Sequence, residues 1–221
     1  MSVIEPVTEA IIQHFLDNHD PQIGSPLLTR IPGEIRNTVF AFTFQQYYNE
    51  DKMYDHGSYR TSRPGYRAPL VVSTALLQTC CKVYLETRLL PIQQYEHVFW
   101  CHRERRGSAF EGSPLLYFQS LPTALLPHVD TIQIFAHMSW LDQGFAREWE
   151  GLSLLPLLPR RLKITVRQSD WWNWYDNAPL VMKREWIEGL VHLHKDLCEF
   201  VVELEAIERD KDQVRGWTIS V

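Results

Sequence analysis

The sequence predicts an α/β protein, with N-terminal helices followed by about four β/α units that form a small, mostly parallel, leucine-rich-repeat-like sheet. Three observations carry this prediction. Residues 1–91 place apolar side chains at helical steps of three and four. Beyond residue 91 come four short runs rich in β-branched and aromatic residues: HVFWC, TIQIFAH, LKITVRQ and FVVELEAI. These begin at residues 97, 131, 162 and 200, and helical candidates at 114–126, 144–158 and 183–196 fill the gaps between them. Strand, helix, strand at roughly 30 residues per unit is the spacing of parallel β/α units, and their crossovers are right-handed almost by rule. No unit carries a full leucine-rich-repeat consensus.

Taken in order, residues 5–17 predict a short helix with Ile11, Ile12, Phe15 and Leu16 on one side. The segment NHDPQIGSP breaks it through Pro21, Gly24 and Pro26. A second helix follows, with Ile35, Val39 and Phe42 at helical spacing and Pro32 in its first turn. Residues 45–69 are polar, tyrosine-rich and interrupted by Gly57, Pro64, Gly65 and Pro69, which reads as a long insertion. Residues 70–90 read as the best helix of the chain, with Val72, Leu76, Cys80, Val83 and Thr87 along one face and Pro91 ending it. The expected division is a helical region 1–91, with the insertion at 45–69, and a β/α sheet lobe 92–221. Residues 217–221 are expected to add an edge strand.

The chain has 221 residues, of which 45% are hydrophobic and 22% charged, and a formal net charge of −5. That is ordinary globular composition without the basic footprint of a nucleic-acid binder. The N-terminus lacks a basic secretory n-region, and no apolar run reaches the ~18 residues of a membrane helix. The four cysteines form no C-x-x-C pair. The expected setting is intracellular and cytoplasmic, with free thiols and with no nucleic acid or membrane partner.

Two segments carry a family signature. PLLTRIPGEIRNTVFAF and, after the insertion, ALLQTCCKVYLETRLLP resemble a large group of uncharacterised filamentous-fungal proteins with an F-box-like pattern, L-P-x-E-I-R-x-x-I-Y then L-L-x-T-C-R-x-I-Y-x-E. The stretches QYEHVFW and SDWWNWYDNAPL are similar to the same group, so the resemblance spans most of residues 26–205. Ile31, Cys81 and Thr87 depart from the pattern. The resemblance implies N-terminal F-box-like helices that dock a Skp1-type adaptor and a repeat lobe that selects a partner. It implies no catalytic residues.

Ligands of parallel α/β sheets bind beyond the carboxyl ends of the strands. On this rule Trp100 and His102 close the first strand, and His137, Trp140 and Asp142 follow the second. Asp170, Trp171, Trp172, Trp174 and Tyr175 follow the third. Trp100, His102, Trp140, Asp142, Trp171, Trp172, Trp174 and Tyr175 are therefore the candidate ligand-binding residues, forming an aromatic rim suited to an apolar small molecule or to a partner. Trp172 and Trp174 read equally well as core plugs. Trp171 and Trp140, flanked by carboxylates, read as facing solvent or ligand. Asp170 and His137 are the acid–base candidates, and Asp170 has the alternative reading of a turn cap. Cys101 beside His102 makes a poor nucleophile–base pair, because adjacent strand residues point apart. His192 and His194 are two apart and do not share a helix face.

No metal-ligand spacing, G-x-G-x-x-G, Walker A or G-x-S-x-G motif is present, so neither cofactor nor metal is expected. Two functions fit. The first is a cofactor-independent enzyme of fungal secondary metabolism, a cyclase, isomerase or pericyclase such as a Diels-Alderase, acting on an apolar metabolite in the Trp-rich pocket. The second is a non-enzymatic F-box-like interaction module with the rim aromatics as partner hot spots.

Overall fold

The structure, a computed structural model, describes residues 4–54, 66–101, 113–176, 178–183, 185–187, 190 and 197–215. The chain divides into two compact units, residues 1–95 and 96–221.

The first unit begins with helices α1 (Ile4–Asn18), α2 (Pro26–Thr29) and α3 (Gly33–Thr43). Pro26 sits in the first turn of α2, where its missing N–H costs nothing. Pro32 caps α3 from just outside. The stripe at helical spacing faces out: Ile35, Val39 and Phe42 are 54%, 42% and 64% exposed. Phe40 and Phe44, four residues apart on the opposite side, are the buried pair. They meet Leu28 and Val83, with Leu27, Leu76, Leu77, Cys80 and Leu90 packed around them. Arg36 joins the two signature segments by a fork onto Glu86, with Nε and Nη2 each 3.1 Å from a carboxylate oxygen.

Residues 70–90 do not form one helix. β2 (Leu70–Val71) pairs antiparallel with β1 (Tyr47–Tyr48). Ala75–Gln78 make a 3₁₀ turn, and only Cys81–Thr87 form an α-helix, α4. The physical reason is local: Val71, Val72, Ser73 and Thr74 are weak helix formers, and Cys80 is fully extended (φ −160°, ψ 161°). Pro91 does not end a helix; it lies in the first turn of α5 (Leu90–Gln94). The predicted insertion begins and ends in order, since Asn49 N–H donates to the Pro69 carbonyl and Tyr54 N–H to that of Arg67. Its middle, residues 55–65, lies outside the described residues.

The second unit is a four-stranded parallel sheet: β3 (Glu96–Cys101), β4 (Thr131–Ala136), β5 (Arg161–Val166) and β6 (Glu199–Leu204), ordered as in the chain. This is the mixed α/β architecture that the strand spacing predicts. Phe99, Ile134, Ile164 and Val202 lie in register across one face. The period-two alternation puts His97, Ile132, Leu162 and Phe200 on that face as well. Buried side chains of α6 (Pro114–Ser120), α7 (Met138–Gln143) and α8 (Phe145–Ser153) complete the core, led by Phe118, Leu141, Phe145 and Trp149. The Phe145 ring stacks on Trp149 and meets Trp186 edge-on, and Trp186 in turn meets Phe200, which ties the helical residues 185–187 to β6.

The opposite face mixes apolar residues such as Trp100 and Phe135 with a polar network. Gln133 Nε2 donates to Thr165 Oγ1, which donates to Glu203, and Lys163 pairs with Glu203. Burial pushes the Glu96 carboxyl above its usual range, against the opposing pull of Lys163 and Arg161.

Two helical predictions are adjusted and one helix was not predicted. The 114–126 candidate is α6 and a separate 3₁₀ turn, Thr123–His128, divided at Leu121–Pro122. The 144–158 candidate stops at Ser153. α7, only six residues long, had no periodic signal. The predicted edge strand at 217–221 and the histidines 192 and 194 lie outside the described residues. Among the described residues no helix is long and apolar enough to cross a membrane.

Candidate functional site

β5 leads straight into the densest aromatic segment of the chain. Its continuation is a 3₁₀ turn, Gln168–Asp170, closed by a reciprocal cap between Arg167 and Asp170. Arg167 Nε and Nη2 donate to the two Asp170 oxygens at 2.6 and 2.9 Å, and the Arg167 backbone N–H donates to Oδ2 at 3.2 Å. Both residues are sealed, at 2% and 1% exposure. The guanidinium also lies 5.2 Å from the Trp100 ring centre, and Trp100 stacks on Phe135 at 4.1 Å.

Asp170 is therefore a buried ion-pair partner and turn cap, the alternative reading of this residue. Removing either charge would strand the other in a low-dielectric interior. Trp100 belongs to the same stack and is 6% exposed, so it presents no ligand face. The sequence reading passed over Arg167. Its signal was the spacing R-Q-S-D at the end of a strand, a cation three residues before a carboxylate.

The tryptophans sort in the reverse of the expected order. Trp171 was expected to face solvent or ligand, yet it is fully buried, and its indole N–H donates to the Glu205 carbonyl at 2.8 Å. Trp172 is half-buried, donates to Asp142 Oδ2 at 3.0 Å and meets the His137 ring edge-on at 5.6 Å. Trp174 and Tyr175 stand out, 45% and 68% exposed, edge to face with each other. Asn173 causes the change of side. Its φ of 51° is a left-handed turn that asparagine tolerates.

His137 caps α7. Its Nδ1 accepts from the Ser139 backbone N–H at 3.0 Å, and the His137 backbone N–H donates to the Cys101 carbonyl. That engagement of Nδ1 fixes the ring at the start of α7. Trp140 folds over Gly144, where an added Cβ would come within 3.1 Å of the ring, and meets Phe145 edge-on. Among the described carboxylates of the rim Asp142 stands out: its Oδ1 is shut off from solvent and has no hydrogen-bond donor. His102 lies outside the described residues. Cys101 is fully buried, and desolvation, with the Glu148 charge added, pushes its thiol well above the usual range.

The structure thus brings together His137, Asp142 and Trp172, sends Trp100, Asp170 and Trp171 into the core, and leaves Trp174 and Tyr175 at the surface. Among the described residues, open clefts lie elsewhere. One, of about 550 Å³, lies at the amino ends of the strands and is lined by Asp130, Arg160, Arg161, Cys198 and Glu199. Another, of about 740 Å³, belongs to the first unit and is lined by Tyr47, Tyr48, Glu50, Arg67 and their neighbours. Among the described residues no three His, Cys, Asp or Glu side chains converge as a metal site requires. No protein-family model, no curated protein and no solved structure matches the chain.

Proposed function

We propose that this protein is a non-enzymatic interaction module whose α3 docks a Skp1-type adaptor. The observation that carries the reading is the seam Ile35–Val39–Phe42, apolar side chains at i, i+4 and i+7, all exposed on one side of a helix anchored from the other side by Phe40 and Phe44. Such a seam is the form in which a helix offers itself to a partner's groove. The F-box-like signature supports the same reading, because its two segments pack on each other through Phe40, Phe44 and Val83 and are joined by Arg36–Glu86. The leucine-rich-repeat-like character of the sheet lobe is part of this proposal.

The cyclase, isomerase or pericyclase reading has less support. It requires Asp170 or His137 to move a proton at an apolar substrate, and both are tied into hydrogen bonds of the fold.

The test is complex formation with a purified fungal Skp1-type adaptor on a sizing column with light scattering. A one-to-one complex is expected, lost in Ile35→Ser/Phe42→Ser with an unchanged unfolding midpoint. Absence of a complex at micromolar concentration, or a complex indifferent to that double substitution, overturns the reading.

A further inference from the structure

The rim of the second unit carries an unbalanced charge beside an aromatic face. Several of its charged groups are matched: Arg167 holds Asp170, Arg209 holds Asp210, and Lys211 pairs with Glu208. Among the described residues Asp142 forms no ion pair. One of its oxygens takes the Trp172 indole N–H, and the other takes no donor at all. A half-buried carboxylate left in this state is costly, and an incoming cation relieves that cost.

The ring bonded to Asp142 is the natural seat for it. Trp172 is only half-buried, and an aromatic ring attracts a cation within about 6 Å of its centre. A carboxylate hydrogen-bonded to the same indole adds its negative field. Beyond Asn173, Trp174 and Tyr175 open the surface further, with Asp176 exposed beside them. A small molecule needs most of its surface enclosed. An open aromatic surface beside an uncompensated acid suits a polypeptide instead, and arginine is the side chain that both stacks on a ring and answers a carboxylate.

We infer that this rim is a recognition surface for a partner polypeptide, which lays an arginine side chain over the Trp172 indole within the field of Asp142. The inference rests on the interaction-module reading for the nature of its partner and uses no residue of α3, so either can fail without the other.

The test is a tryptophan-fluorescence titration of the full chain with the peptide acetyl-Gly-Leu-Arg-Leu-Gly-amide. The same peptide with citrulline in place of arginine removes the charge and keeps the shape. Saturable binding is expected, weakened about fivefold or more by citrulline, which is the scale of a partly desolvated cation–π contact. Asp142→Asn keeps an acceptor for the Trp172 N–H and is expected to bring the arginine peptide down to the citrulline level. The citrulline comparison uses the unaltered chain, so the outcome does not depend on whether that variant folds. Absence of saturable binding, equal binding of the two peptides, or an Asp142→Asn chain that folds and binds unchanged overturns the inference. Binding of butylguanidinium as tightly as the peptide overturns it as well, since the ligand would then be a free cation.

Discussion

Trp171 and Trp174 lie three residues apart in one aromatic run, and the fold puts them on opposite sides of its surface. Trp171 is 0% exposed and hydrogen-bonded to the strand-end carbonyl of Glu205; Trp174 is 45% exposed and touches Tyr175. Residues up to Trp171 continue the line of β5, so the neighbouring strand end and the Arg167–Asp170 pair hold them down. After Asn173 the backbone turns through a left-handed position, and the following rings have no described layer to enter. Tryptophan content alone therefore says little about a binding site. What matters is which side of a turn each ring falls on.

Three measurements break or sharpen this contrast. The largest effect is expected from Trp171→Ala, which loses a fully buried indole and leaves the Glu205 carbonyl without its donor. It should cost about 3–5 kcal/mol in chemical denaturation, whereas Trp174→Ala should stay within ~0.5 kcal/mol. Equal losses would mean that both rings are core.

Next is the ion pair beneath Trp171. Arg167→Met strands the Asp170 carboxylate in the interior and should cost about 3 kcal/mol or more. Arg167→Met/Asp170→Leu should recover most of that loss, because two apolar side chains leave no buried charge behind. If the double variant is as unstable as the single one, the pair is needed for the turn and not merely tolerated by it.

The smallest effect concerns Glu96, on the mixed face of the sheet. Burial raises its folded-state pKa above the ordinary 4.5, so the folded chain binds this proton more tightly than the unfolded chain does. Stability from this group is therefore lost as pH rises from about that value through the folded-state pKa. Glu96→Gln should flatten the stability-against-pH curve in that window. Identical curves would show that Lys163 and Arg161 offset the burial.

The comparison of strands with helices explains how much was legible beforehand. β3, β4, β5 and β6 were readable, with starts within one residue and ends within three, because each is a short β-branched and aromatic run bounded by turn-forming residues, a signal that needs no partner to be seen. The segment 70–90 misled because its apolar spacing fits a helix while its residues, Val71 to Thr74 and the two cysteines, favour extended backbone. On α3 the period was legible and the buried side was not: the sequence holds two apolar stripes, and only packing against Leu28 and Val83 selects Phe40 and Phe44 over Ile35, Val39 and Phe42.

The site was harder to read for the same reason. Asp170 and His137 were named correctly as polar groups at strand ends, but a polar group at a turn serves either chemistry or the turn, and its neighbours decide between the two. By itself the sequence determined the class of the fold, the four strands and their spacing, because hydrophobic period and residue shape are local properties. Only the tertiary structure decided which rings are core, which carboxylate is paired and which helix face is bare. Burial and charge compensation depend on what the rest of the chain brings alongside, and no local pattern contains that.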